Sequence, residues 1–158
     1  MGVVSFLDEN RDLVCGRYAG AVGRARSKFD LAALLDVNVC EWLCRMEARH
    51  GVSEWMRREF HNYLNGRFVA HCDGYTCALV SGFLGRYEVE ETVTAFVGCG
   101  RVEIAVPDNA ILRVCCGGGD YSVLLGEGAR LHAYVVEGTR FDAGDYGDRV
   151  KVETIDPL

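Results

Sequence analysis

Eight cysteines and four histidines are the side chains of this 158-residue chain best suited to nucleophilic or metal chemistry. Thiolate metal sites are built from Cys-x-x-Cys pairs that converge on four ligands. Cys15, Cys40, Cys44, Cys72, Cys77, Cys99, Cys115 and Cys116 contain no such pair. Cys115 and Cys116, as neighbours, point to opposite faces of any strand. Cys40 and Cys44 share a helix face with His50 further along, but two more ligands are missing. The expectation is eight reduced thiols used as small apolar side chains, with no metal and no cofactor.

His71-Cys72 brings an imidazole beside a thiol, the pair that makes a cysteine nucleophile. Adjacent residues of an extended chain point apart, so a dyad there needs His61 or Cys77 to fold back, and catalysis is not favoured. The loop Ala70-His-Cys-Asp-Gly-Tyr-Thr76 joins two differently composed parts of the chain, and junctions between packed elements tend to form pockets. His71, Asp73 and Tyr75 are therefore candidate binding residues, against the simpler reading of a turn at Asp73-Gly74. The phosphate-loop, nucleophile-elbow, His-Glu-x-x-His and dinucleotide signatures are all missing. Gly98-Cys-Gly100, Gly117-Gly-Gly119 and Gly126-Glu-Gly128 read as turns, since no helix follows to aim amides at a phosphate.

Apolar residues make up 49% of the chain and charged residues 25%, with only 2 prolines, which is the composition of a folded globular protein. The formal charge of -6 is unevenly placed: residues 1–66 hold 9 basic and 9 acidic side chains, residues 67–158 hold 8 and 14. An acidic chain without a basic run is a poor partner for nucleic acid, whose binding depends on neutralising phosphates. Met1-Gly-Val-Val-Ser-Phe6 is neither a secretory signal nor a myristoylation site, and no stretch is long and apolar enough to span a membrane. The expected location is the cytoplasm.

Whatever chemistry the chain carries must be positioned by two kinds of element. Residues 1–66 read as three or four short helices. Ser5-Phe-Leu-Asp8 and Ser27-Lys-Phe-Asp30 have the pattern of helix starts, Val39, Leu43 and Met46 fall at i, i+4, i+7, and Val52, Met56, Phe60 and Leu64 run at four-residue spacing to Asn65-Gly66. Helices this short must pack on something.

Residues 67–158 are repetitive, with four 19-residue blocks starting at Phe83, Val102, Tyr121 and Arg140. Val93, Leu112, Leu131 and Val150 align, as do Ala95, Val114, Ala133 and Val152 two places on, with Thr94, Arg113, His132 and Lys151 between. Apolar-polar-apolar alternation is the pattern of strands buried on one face, and Gly/Asp/Pro tetrads separate the strands. A fixed period with matching columns is the mark of stacked repeats. The expected class is α+β, with short N-terminal helices packed on a small C-terminal β-solenoid of 19-residue coils. An antiparallel β-meander is the alternative. In the fourth block Asp142 and Gly144 fall where Ile104/Val123 and Val106/Leu125 stand, so one leg is expected to lose its apolar face, as a terminal cap does.

Phe29-Asp-Leu, Cys40-Glu-Trp-Leu-Cys-Arg-Met46, Arg58-Glu-Phe-His-Asn-Tyr-Leu-Asn-Gly-Arg67 and Gly74-Tyr-Thr76, followed by alternating β repeats, resemble a group of gut Bacteroidetes and prophage proteins with a helical front and a repetitive β tail. The resemblance spans roughly residues 27–158. It implies a fold and a bacterial or phage origin, and because that group has no established activity it brings no site residues with it.

The column Thr94, Arg113, His132, Lys151 is flanked by core columns and so is expected to point outward. Three basic groups would then run up one face about 4.8 Å apart per coil, with Glu103 and Asp148 as the nearest acids to relieve their repulsion. Arg113, His132 and Lys151 are the remaining binding candidates. The function expected is non-enzymatic, a module binding a protein or glycan partner or a structural unit, with self-association to cover an open solenoid end. The alternative is an enzyme on a small β-helix with its pocket at the helix/β junction.

Overall fold

The structure, a computed structural model, describes residues 67–72 and 75–156, together with Arg24, Cys44, Arg45 and Glu47. Ten strands follow one another: β1 (Arg67–Cys72), β2 (Tyr75–Ser81), β3 (Gly85–Glu88), β4 (Val93–Val97), β5 (Arg101–Val106), β6 (Ile111–Gly117), β7 (Asp120–Leu125), β8 (Arg130–Val136), β9 (Arg140–Asp142) and β10 (Val150–Ile155). One sheet has the order β1-β2-β4-β6-β8-β10 and the other β3-β5-β7-β9. Only β1 and β2 pair antiparallel. Every other pair is parallel, so the chain passes from sheet to sheet and back through about four turns of a parallel β-solenoid.

The strand pattern follows from alternation. In β5 (Arg-Val-Glu-Ile-Ala-Val) every second residue is buried, and Val102, Ile104 and Val106 turn inward. They meet Val114, Cys116, Ala133 and Val135 from the opposite sheet in one core. Phe83, Tyr87, Phe96 and Tyr121 run through it as a chain of ring contacts, with successive centroids 5.5, 5.3 and 5.8 Å apart. Each fully buried side chain of this size contributes about 1.5–3 kcal/mol.

This corrects the expected α+β class and removes the meander. The two sheets close on each other, so their inner faces need no helix to cover them, and from Arg67 on the described residues contain a 3-10 turn (Gly147–Arg149) but no α-helix, while Arg24, Cys44, Arg45 and Glu47 are helical. The helices expected over 1–66 lie outside the described residues. Cys44 does touch the solenoid, on the outer face of the larger sheet. Its thiol points to the Phe96 carbonyl at 3.7 Å, and its backbone occupies the space that any side chain at position 117 would need, which Gly117 leaves open.

Part of the 19-residue register holds. Leu112 pairs with Leu131 and Val114 with Ala133 on parallel strands, and Leu131 with Val150 in the next coil. Val93, however, pairs with Arg113 and Thr94 with Val114, twenty residues on. The β6–β7 corner is one residue shorter than the corners before and after it, so the coils that contain it run 19 residues, while the coil from Val93 to Arg113 does not contain it and slips to 20. Gly119 makes the short corner with φ at +93°, and a side chain there would strike the carbonyls of Cys99 and Gly100 in the preceding coil.

Two expectations fall with that slip. Asp142 pairs with Ser122 on the outside, while Phe141 pairs with Tyr121, and Phe141 and Ala143 pack on the core, so the fourth coil keeps its apolar face. The end is closed by side chains instead. Arg149 donates to the carbonyls of Gly126 (2.6 Å) and Ala129 (3.1 Å), and the Tyr146 hydroxyl accepts the Leu125 N–H at 3.1 Å. Thr94, expected outside, is fully buried, and its hydroxyl has no hydrogen-bond partner. A buried hydroxyl without a partner costs about 1–3 kcal/mol, so Thr94→Val is expected to raise stability by about 1 kcal/mol in urea unfolding. A stability loss would mean that the hydroxyl is satisfied in solution.

Candidate binding site

The basic column forms only in part. Arg113, His132 and Lys151 occupy matched positions on β6, β8 and β10, as expected, and Thr94 leaves the column for the core. The acid that answers them is Glu153, not Glu103 or Asp148. Its carboxylate lies 3.2 Å from Lys151 Nζ and 3.1 Å from His132 Nε2. Lys151 first, and then His132, hold the Glu153 carboxyl below the usual carboxylate range. The His132 ring also stacks on Tyr134 at 4.3 Å. Lys151 and His132 are thus both answered by Glu153 of their own strand system, and such surface contacts contribute little to stability.

At the junction, Cys72 pairs with Tyr75, which leaves Asp73 and Gly74 as a two-residue connection between β1 and β2. His71 sits opposite Thr76 in that hairpin. The side chains of His71, Asp73 and Tyr75 lie outside the described residues. Among the described cysteines, Cys44, Cys77, Cys99, Cys115 and Cys116 are buried. Burial pushes the thiols of Cys99 and Cys116 up, which keeps them protonated and poor as nucleophiles. No three His, Cys, Asp or Glu side chains converge as a metal site among the described residues.

A concave surface lies elsewhere, on the outer side of the smaller sheet where its strands enter their turns. From Glu88 to Val93 the first coil spends four residues, whereas the matched stretch from Ala105 to Arg113 spends seven. At this step lies a groove of about 500 Å³. Its apolar wall comes from Val89, Ala105, Val106, Pro107, Leu124 and Leu125, and its charge from Arg86, Glu88 and Glu90.

The charges are not equal. Arg86 Nε donates to Glu103 at 2.7 Å, so its charge is already matched. Arg67 approaches Glu90 at 3.8 Å but is engaged mainly with Glu91. Glu88 has no ion pair among the described residues. The groove therefore presents an apolar floor with a net negative rim.

None of these groove residues stands out in the sequence as a site. Glu88, Ala105 and Leu124 are brought side by side only by a register of 17 and then 19 residues, and the first of these departs from the 19-residue period. No family model, no curated protein and no solved structure matches this chain.

Proposed function

We propose that this chain is a non-enzymatic binding module whose groove receives an extended protein segment with a basic side chain flanked by apolar ones. The observation that carries this reading is the pairing of an apolar floor with unmatched carboxylate at Glu88. A groove of about 500 Å³ falls within the range of side-chain and small-ligand sites. A basic side chain lies its methylene stem along Ala105 and Leu124 and sets its charge beside Glu88 and Glu90. No aromatic ring lines the groove, which removes the flat platform that a sugar face would stack on, so a peptide suits it better than a glycan.

The test is a titration of the 15N-labelled chain with a blocked Leu-Arg-Leu peptide. Shift changes are expected to cluster at 86–90, 105–107 and 124–126 and to weaken with salt. The double variant E88Q/E90Q is expected to weaken binding by about three- to tenfold while the fold is kept, since both side chains are on the surface. Shifts scattered over the molecule, or binding indifferent to the double variant, would remove the groove as the binding site.

A further inference from the structure

The larger sheet ends at β10, whose far edge carries no strand among the described residues. The Ile155 carbonyl accepts the Glu137 N–H at 2.8 Å, so the backbone groups of Ile155, and by alternation those of Glu153 and Lys151, turn toward β8. Those of Val150, Val152 and Thr154 therefore face the open edge. Side chains alternate independently. Lys151 and Glu153 stand on the outer face, while Val152 is the last described member of the inner column of Thr94, Val114 and Ala133 and is 41% exposed.

We propose that two copies of this chain join through β10, antiparallel and centred on Val152. A two-fold axis perpendicular to the sheet keeps inner faces inner and outer faces outer. Val152 then exchanges both backbone bonds with the partner's Val152, and the Val150 carbonyl accepts the partner's Thr154 N–H, the Val150 N–H being held by the Gly147 carbonyl. The positions between them form the close, non-bonded pairs, with Cα atoms about 4.5 Å apart, and they set Lys151 against the partner's Glu153 twice.

The charges choose this register among those the backbone permits. A shift of the centre to 151 pairs Lys151 with Lys151, and a shift to 153 pairs Glu153 with Glu153. Charged side chains on an edge strand normally block pairing with other chains. The sequence Lys151-Val152-Glu153 blocks every neighbouring register and leaves one self-complementary, so the occupant it fits is a second copy. At the same time Val152 meets its counterpart and the exposed end of the core is covered. One strand pair is a small interface, so the dimer is a weak one.

The experiment is sedimentation of the full chain from micromolar to millimolar concentration, with the variants K151E and E153K studied singly and mixed. The wild type is expected to show a monomer–dimer equilibrium. Each single variant is expected to weaken it by about tenfold or more, because like charges then face each other across the axis. An equimolar mixture of the two variants is expected to recover most of the wild-type affinity. Both variants break the intrachain contact between Lys151 and Glu153, so recovery in the mixture comes only from pairing between chains. Amide exchange of the wild type supplies a second reading that needs no variant: Val152 and Thr154 are expected to gain protection with concentration, Lys151 and Glu153 none. A wild type that stays monomeric, a dimer indifferent to both variants, a mixture that does not recover, or open-ended growth from head-to-tail stacking each overturns the proposal.

Discussion

Leu131→Ala is expected to lower the free energy of unfolding by about 2–5 kcal/mol. Leu131 is 2% exposed and stands between Leu112 on one side and Val150 on the other, in the middle of the inner column. The neighbours belong to parallel strands hydrogen-bonded at fixed spacing, so they cannot move in to fill the space left by the missing atoms. Stability in a stacked repeat rests on contacts between adjacent coils, and a cavity at this position weakens two of them at once. The control is Leu124→Ala, on the exposed outer face, where the expected loss is about 0.5 kcal/mol. Urea unfolding of both variants measures the contrast. Equal losses would mean that the inner columns do not form the core.

Removing Arg67 is expected to cost about 3 kcal/mol, through a different mechanism. Glu91 is 3% exposed, and its carboxylate contacts the Arg67 guanidinium from β1. The same guanidinium lies over the Tyr87 ring at 5.9 Å, and the Tyr87 hydroxyl reaches Glu91 at 3.5 Å. Burying a carboxylate is costly unless it is paired, and breaking a buried pair from one side costs about 3–5 kcal/mol. The lower end applies because Arg67 is itself 41% exposed, which lets water screen the pair. In Arg67→Met the acid is left alone in the turn before β4. The double variant R67M/E91Q carries no buried charge and is expected to recover most of the loss. A double variant as unstable as R67M alone would show that Arg67 acts through packing on Tyr87 and not through Glu91.

This ion pair also explains how the antiparallel β1 belongs to a solenoid of parallel strands. β1 closes the first edge of the larger sheet as the return strand of a hairpin, and Arg67 ties it to the first coil's turn. At the other end no strand among the described residues covers β10. The two ends differ in chemistry, with a buried pair at one and an alternating surface pair, Lys151 and Glu153, at the other.

The alternation of Arg101-Val-Glu-Ile-Ala-Val106 was readable without a structure because a strand reverses its side chains at every residue, so burial of one face is written into neighbouring positions. The stacking of Leu112 on Leu131 was readable for a related reason. A parallel coil returns each position to the same environment, and the residue types repeat with it. The exposed basic column of Arg113, His132 and Lys151 followed from the same two facts.

Corner length was decided by the tertiary structure. Gly117-Gly-Gly119 and Gly98-Cys-Gly100 look alike in sequence, and only the register of the strands shows that the former corner is one residue shorter. The coils that include that corner run 19 residues, whereas those from Thr94 to Val114 and from Tyr121 to Phe141 do not include it and run 20, which puts Thr94 in the core and Phe141 in line with Tyr121. The partner of Lys151 and His132 was hidden for the same reason. Glu153 lies two residues from Lys151 along the strand but twenty-one from His132, and a contact across coils is a property of register, which depends on every corner between the two residues. The groove belongs to this second kind of feature. Glu88, Ala105 and Leu124 have nothing in common along the chain, and the parallel pairing of β3, β5 and β7 alone puts a carboxylate at the edge of an apolar floor.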